Sequence, residues 1–526
     1  MQPREPRSLS FLTRELETSE TINFSDRPVT GIVFHSGSVS PGDAFVAIRG
    51  LKADGHQYIG QAIANGASAV FCEGREWMGK IGHPDIPVIL VPDARRALSR
   101  LSATYYGHPC NEMLVCGVTG TNGKTTTTSL LDAFFRQAGF RTGLIGTLSR
   151  RINDRIFPAA NTTPDSPEIH QLLSDMLRDG VTVVSMEVSS HALSHHRVDD
   201  VTFDVACITN FSPDHLDFHT EISDYRNSKR RLFEGISENG IAVVNADDDE
   251  AVIIGRGAPG PAITYGIESD AATIRAVEMV PGQDGSSFTL QARPPLPCVG
   301  SAEADPFEFR VKLSMPGKHN VYNALAASSC ALALGLPPEK IRQGIENATG
   351  VHRRLQVVRS GQWTLIDDFA HNPGSLDAAF SVVSQRDFTK LISVYAIRGN
   401  RGEEINRANG EILGRWMRRL ASSHLVVTRS SDTVEDKDRV SLQEEQAFLM
   451  GFREGNRRER SPLITATLKE ALSQALLLVC PGAVILTLGA QGMDHCQELL
   501  TDLAAIGAID SENFQSHPLP RPETRA

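Results

Sequence analysis

The sequence predicts an α/β protein of three domains: a small α/β domain over residues 1–111, a central parallel-sheet domain over 112–352, and a Rossmann-like α/β domain over 353–526. Three observations carry this expectation. A chain of 526 residues is too long for one hydrophobic core. Short apolar runs alternate with stretches of helical spacing along most of its length, as they do where helices cover both faces of a parallel sheet. Near residue 120 a glycine-rich loop joins such a run to such a stretch.

In the first segment, Gly31–Phe34 and Asp43–Ile48 read as strands, Ile59–Gly66 as a helix, and Ala67–Cys72 as a further strand. The second segment opens with the apolar run Met113–Val118 and continues with strands at Val181–Met186, Val205–Thr209 and Ile241–Asn245. Residues 256–314 are richer in Gly and Pro and alternate near Ser287–Gln291 and Phe307–Lys312, which predicts an antiparallel excursion before a helix at Asn320–Leu334. The third segment starts near Val357, with strands at Thr364–Asp367, Leu391–Tyr395, Leu425–Thr428 and Ala483–Leu488. From about Glu512 the chain is polar and Pro-rich, the composition of a loose tail.

The loop Gly120-Thr121-Asn122-Gly123-Lys124-Thr125-Thr126 follows Met113–Val118 and precedes Thr127–Gly139, where Leu130, Leu131, Phe134 and Phe135 recur at helical spacing. Strand, glycine loop and helix form the context of a phosphate-binding loop. Backbone N–H groups and the helix N-terminus would cradle phosphate oxygens, with Lys124 as point charge and Thr125 as Mg²⁺ ligand. The pattern G-x-x-x-x-G-K-S/T asks for Gly at position 118; this chain has Val118.

Composition narrows the classes. A formal net charge of −11 argues against a broad nucleic-acid-binding surface. No apolar stretch reaches the roughly 18 residues that span a bilayer, and Met1–Glu20 lacks a secretory apolar core. Eight scattered cysteines without a C-x-x-C pair read as reduced core residues of a cytoplasmic protein.

A phosphate loop alone says only that a nucleotide binds; the reaction comes from the other strand ends, where ligands of such sheets lie. After Val181–Met186 comes Glu187, placed to reach a Mg²⁺ held by Thr125. After Val205–Thr209 comes the polar cluster Asn210 to Asp217, with His215 inside it.

The set GVTGTNGKTTT, NTTP (Asn161–Pro164), MEVSSHAL (Met186–Leu193), TNFSPDHLD (Thr209–Asp217), PGKHNVYNALAA (Pro316–Ala327) and DDFAHNP (Asp367–Pro373) resembles the Mur ligases. Within them it is similar to the UDP-N-acetylmuramoyl-tripeptide synthetase (MurE) branch, as are SPGDAFVAIRG (Ser40–Gly50) and DGHQYIGQAIANGASAV (Asp54–Val70). That family's phosphate loop accepts a residue other than Gly where Val118 stands. The resemblance implies a UDP-sugar-binding-like first domain, a central ATPase domain and a C-terminal amino-acid-binding-like domain. It implies ATP-dependent amide formation: an acceptor carboxylate takes the γ-phosphoryl group of ATP, and an amino acid's amine displaces phosphate from the acyl phosphate. Lys124 and Mg²⁺ on Thr125 and Glu187 would neutralise ATP oxygens. A second Mg²⁺ would be held by Glu187, His215 and a carbamylated Lys229, although a lysine followed by Arg230 and Arg231 also reads as a solvated basic face. Lys124, Glu187, His215 and Lys229 are thus the catalytic set. Asn320 and Asn323 would contact adenine, and Asp368 with His371 the ribose or γ-phosphate region. Arg354 and Arg401 complete the nucleotide side. Ser36, Thr162, Thr163, Ser189 and Arg197 match positions that hold the nucleotide-linked acceptor. The implied partners are that acceptor and an amino acid, without nucleic acid or membrane insertion, in a monomer.

The departures fall on substrate-reading words. The uridine-side D-S-R is His35-Ser36-Gly37 here. The D-N-P-R word that reads diaminopimelate falls near Thr428–Thr433, where the chain has Thr-Arg-Ser-Ser-Asp-Thr, with Arg429 as a stand-in or a surface residue. The late G-K-G-H-E word becomes Ala490-Gln491-Gly492-Met493-Asp494. Two alternatives therefore stand beside the MurE-like reading. One is a Mur-type ligase acting on a non-peptidoglycan acceptor, as cyanophycin-type or folyl-polyglutamate-type enzymes do. The other is a nucleotide-binding paralogue without catalysis.

Overall fold

The computed structural model describes residues 5–50, 53–77, 85–214, 218–219, 221–300, 302–420, 422–457 and 461–503; His215 and the tail expected from Glu512 lie outside them. Three main sheets follow one another along the chain. The first orders Glu20–Ile22, Val88–Leu90, Ala69–Cys72, Ala44–Val46 and Ile32–Val33, parallel except at Glu20–Ile22.

The second is the scaffold of the site. Its phosphate-loop strand, Leu114–Thr119, lies between Val183–Glu187 and Phe203–Ile208, and all three run parallel. Their C-terminal ends therefore open on one edge, where the strand order reverses. Ile236–Asn245, Ala262–Gly266 and Ile274–Gly282 extend the sheet in parallel, and Gly285–Ala292 with Phe307–Leu313 add the antiparallel excursion. On the other edge a hairpin, Arg150–Ile152 with Arg155–Phe157, turns through Asn153 in the left-handed region at φ +53°. Its Asn-Asp turn was a local signal in the sequence, but the flanking strands are too short to show alternation.

Helices cover both faces. Leu130, Leu131, Phe134 and Phe135 of helix Lys124–Gln137 pack on one face with Ala324, Leu325, Ala327 and Cys330 of helix Lys318–Ala333. The second helix is apolar almost all round because it is buried on nearly every side. Each fully buried Phe contributes about 2 kcal/mol. Ile169, Leu173, Met176, Leu232 and Phe233 cover the other face.

The third sheet runs Gln356–Arg359, Thr364–Asp368, Ala483–Leu488, Lys390–Ala396, Ser423–Thr428 and Leu463–Thr465, parallel apart from its first strand. Beside it, helices Glu403–Arg419 and Leu442–Asn456 meet backbone to backbone. A methyl group at Gly410 or Gly414 would strike the backbone of Phe448 or Phe452, and one at Gly451 or Gly455 that of Arg407 or Glu411.

Candidate active site between the central and C-terminal domains

Glycine at 120 and 123 follows from local geometry. Gly120 has φ +138°, and a Cβ there would collide with Thr209 Oγ1 at the neighbouring strand end. Gly123 has φ +88° and abuts Asn323 Oδ1, which places the Asn320–Asn323 helix against the loop. This left-handed residue starts the helix at Lys124, three residues ahead of the Thr127 read from apolar spacing. Thr209 Oγ1 donates to the Asn122 carbonyl at 2.6 Å, and the Thr121 hydroxyl lies 3.1 Å from the Tyr225 hydroxyl. Thr126 is buried in the first helical turn. Val118 is an interior strand residue, and the neighbouring Gly117 leaves room for the Phe203 ring.

Lys124 Nζ donates to the carbonyls of Gly120 at 2.8 Å and Thr121 at 3.0 Å. Burial pulls its basicity below the ordinary value, opposed by Glu187 and Asp214. Thr125 Oγ1 donates to Glu187 Oε2 at 2.9 Å. Glu187, only 1% exposed, also accepts the Thr147 N–H at 2.7 Å and the Thr147 hydroxyl at 3.1 Å. The buried hydroxyl–carboxylate pair at a helix start is a hard-oxygen donor set, and in that chemistry it fits Mg²⁺. Among the described residues no three His, Cys, Asp or Glu side chains converge as a metal cluster.

Lys229 is not on a solvated face. It is 1% exposed, while Arg230 and Arg231 beside it point outward. Its Nζ donates to the Gly120 carbonyl at 3.0 Å and lies 4.4 Å from the Tyr225 ring centroid. Burial, then the charge of Lys124, pulls its basicity well down. With unmodified ammonium groups, Lys229 faces the phosphate loop's carbonyl and carries no metal-binding oxygen.

The C-terminal domain reaches into the same space. Arg354 Nη2 donates to Thr125 Oγ1 at 3.0 Å, and Arg354 lies over the Phe369 ring. Asp368 accepts the N–H groups of Leu355 and Ala370, each at 2.7 Å, and burial pushes its carboxyl up to about 6. His371 Nδ1 meets the Phe369 carbonyl at 2.7 Å; burial, then Arg398, takes the imidazole down to about 3. Asn320 donates to the Pro316 carbonyl and accepts from Asn323 at 3.3 Å, both buried.

Among the residues expected to hold the acceptor, Thr163 Oγ1 donates to the Glu187 carbonyl at 2.8 Å and accepts the Ser189 N–H at 3.0 Å. The Thr162 and Thr147 hydroxyls lie 3.0 Å apart, with Thr147 donating to Glu187. Arg197 donates to the Thr163 carbonyl at 2.9 Å and pairs with Asp165 at 2.8 Å. Ser36 is apart from these, in the N-terminal domain, bonded to Gln61 Oε1 at 2.9 Å. Arg401 pairs loosely with Asp438 at 3.6 Å, and Glu444 Oε1 accepts the N–H groups of Arg401 and Gly402 at 2.8 and 3.0 Å. The Arg401 charge also helps hold His191, whose largest shift comes from burial, down at about 3.

Three contributors were not read from the sequence: Thr147 and Tyr225, which lie outside the motif words, and Asn372, which lies inside one. Asn372 belongs to DDFAHNP, where it caps helix Pro373–Val383 locally, but its contacts with Asn122 and Asp214 are tertiary.

A strand–loop–helix phosphate site met by an arginine of a second α/β domain marks a nucleotide-binding protein, and its relatives are ATP-dependent ligases that form amide bonds. The chain belongs to the Mur ligase family. Family models match in order: the Mur ligase family catalytic domain over residues 28–106, the Mur ligase middle domain over 118–331, and the Mur ligase glutamate ligase domain over 353–491. A UDP-N-acetylmuramyl-tripeptide synthetase of Roseiflexus sp. strain RS-1 is 37% identical over 426 residues, covering 78% of this chain and 80% of that one. The UDP-N-acetylmuramoyl-L-alanyl-D-glutamate--2,6-diaminopimelate ligase of Geobacter metallireducens is 34% identical over 513 residues, covering 93% and 94%. Among solved structures, MurF from Acinetobacter baumannii shares the fold with a TM-score of 0.68 at 23% identity, over 96% of this chain and 100% of that one. MurF from Thermotoga maritima in complex with ADP gives 0.62 at 19%, over 91% and 97%.

Proposed function

We propose that this ligase joins an amino acid to the peptide carboxylate of a UDP-MurNAc-peptide acceptor, as MurE-type relatives do. The observation that carries the reading is the meeting of Lys124, Thr125, Glu187 and Lys229 with Arg354 of the C-terminal domain. Backbone N–H groups of residues 120–125 and the Lys124 ammonium hold the ATP phosphates, and Asn320 and Asn323 face adenine. Thr125 and Glu187 would hold Mg²⁺, which when bound neutralises phosphate charge as the acceptor carboxylate attacks. Thr163, Ser189 and Arg197 orient that carboxylate, with Thr162 beside them and Ser36 at the far, nucleotide end of the acceptor. Arg354 and Arg401 counter the charge that moves onto the transferred group. Asp368 and His371 border the ribose and γ-phosphate. Lys229, buried and poorly basic, is suited to carbamylation: its neutral amine adds to CO₂ and releases a proton, leaving an anion next to the phosphate loop. With Glu187, and with the His215 that its sequence word implies, that carbamate would hold a second Mg²⁺. The domains taken from the sequence divide this labour, with 1–111 on the UDP-sugar, 112–352 on ATP and 353–526 on the amino acid.

The amino acid is not read in the usual diaminopimelate manner. Arg429 pairs with Glu445 at 2.6 Å, and Asp432 accepts the Leu468 and Lys469 N–H groups at the start of a helix. A narrow pocket lined by Arg398, Arg401, Asp438 and Gln491 carries both charge signs, and it would have to widen to take an amino acid.

The test is phosphate release from ATP with UDP-MurNAc-dipeptide across a panel of amino acids. Release that requires both acceptor and amine is expected; turnover indifferent to every pairing would sink the reading. A second reading, a non-peptidoglycan acceptor, is favoured by the loss of the D-S-R word and by the engagement of Ser36 with Gln61. Tight binding of a non-nucleotide polyacid in place of the UDP-peptide would select it.

A further inference from the structure

We infer that Asn372 is a positioning residue that locks the phosphate loop to the C-terminal domain when the cleft closes. Its carboxamide is 3% exposed and uses its full bonding capacity. One Nδ2 hydrogen goes to Asn122 Oδ1 at 3.0 Å and the other to Asp214 Oδ2 at 3.0 Å. Oδ1 accepts the Ser375 N–H at 2.9 Å, which caps helix Pro373–Val383, and the Asn122 amide at 3.4 Å. One C-terminal-domain side chain thus holds two central-domain segments: the phosphate loop through Asn122, and the loop leading to residue 215 through Asp214.

The loop half of the lock is itself fixed. The Asn122 N–H donates to Asn210 Oδ1 at 3.0 Å, and its carbonyl accepts Thr209 Oγ1 and Asn210 Nδ2. Asn122 therefore presents its amide in an orientation set by the phosphate-loop backbone. A loop drawn around phosphate in this shape is the one Asn372 fits, so nucleotide binding and domain closure are coupled at this pair. The lock depends on the central domain binding nucleotide and not on which acceptor or amine is used.

Asp at 372 keeps the helix-capping oxygen but removes both donors and sets a carboxylate against Asp214. The full chain carrying a fluorophore pair, one dye on the central and one on the C-terminal domain, is titrated with a non-hydrolysable ATP analogue and Mg²⁺. The wild type is expected to close. Asn372→Asp should lower the closed-to-open ratio about tenfold, with its melting midpoint and analogue affinity for the open form near wild type. Asn122→Ala, which leaves the helix cap untouched, should act similarly, and the double variant should be no worse than the stronger single one. Closure of Asn372→Asp at the wild-type ratio, multiplicative losses in the double variant, or a wild type that binds the analogue without closing would each overturn the lock. Failure to bind the analogue at all would overturn the nucleotide reading with it.

Discussion

Lys124 and Lys229, more than one hundred residues apart, send their ammonium groups to a single carbonyl, that of Gly120, at 2.8 and 3.0 Å. Two cations on one acceptor in a buried site cannot both keep full charge cheaply. The less basic of them, Lys229, is the one proposed above to be carbamylated. A carbamate resonance is expected after incubation with ¹³C-bicarbonate and should be absent in Lys229→Ala. That variant should lose about 10² to 10³ in product formation. A wild-type spectrum without the resonance, together with full activity of Lys229→Ala, would remove this step.

Glu187 carries a second prediction. It accepts from Thr125 and twice from Thr147, so Glu187→Gln keeps the volume and loses the charge. ATP turnover should fall by about 10² or more, and the Mg²⁺ concentration needed for half-maximal activity should rise. Equal losses at all Mg²⁺ concentrations would assign Glu187 a purely structural part.

Gly123→Ala tests the loop's backbone. Its φ of +88° and the neighbouring Asn323 Oδ1 both oppose a methyl group. Strain of about 1–2 kcal/mol is expected, along with a weaker affinity for ATP measured by calorimetry. Unchanged affinity would mean that the loop relaxes without cost.

The fourth prediction concerns pH. His170 is fully buried with neither ring nitrogen bonded among the described residues, and burial takes its imidazole down to about 3. A histidine depressed in the folded state binds fewer protons than it does unfolded, so stability is lost as pH falls below about 6.5. At about pH 5 the cost is about 2 kcal/mol, and near neutrality it is small. His170→Leu should therefore gain more stability at about pH 5 than at about pH 7 in chemical denaturation. A pH-independent difference would contradict the assignment.

The phosphate loop was legible because its code is local: strand, glycines and helix adjoin in sequence. Lys229 was ambiguous, since Arg230 and Arg231 suggest solvent, although Tyr225, Leu232 and Phe233 at helical spacing already marked the buried face. The parallel strands showed as apolar runs because both their faces are covered. Hidden were the relations that only tertiary placement creates, Asn372 against Asn122 and Arg354 against Thr125, while the Asn153 hairpin was missed because its strands are too short to alternate. His215 is placed by its sequence word alone. Arg429 illustrates the opposite limit, because nothing local foretells its pairing with Glu445.

The glycine seam between helices Glu403–Arg419 and Leu442–Asn456 bears on how this enzyme could diverge. Between the two helices lie strand Ser423–Thr428 and the 429–441 loop, where the usual amino-acid-reading word is missing. The strand is held in its sheet, and the helix that follows is locked to its partner through backbone contacts that hold as long as the four glycines are kept. The intervening loop can therefore be rewritten while its anchors stay put. Selection for a new amine could act on the exposed residues of this loop while Asp432 and Ser441, which cap neighbouring helices, stay fixed.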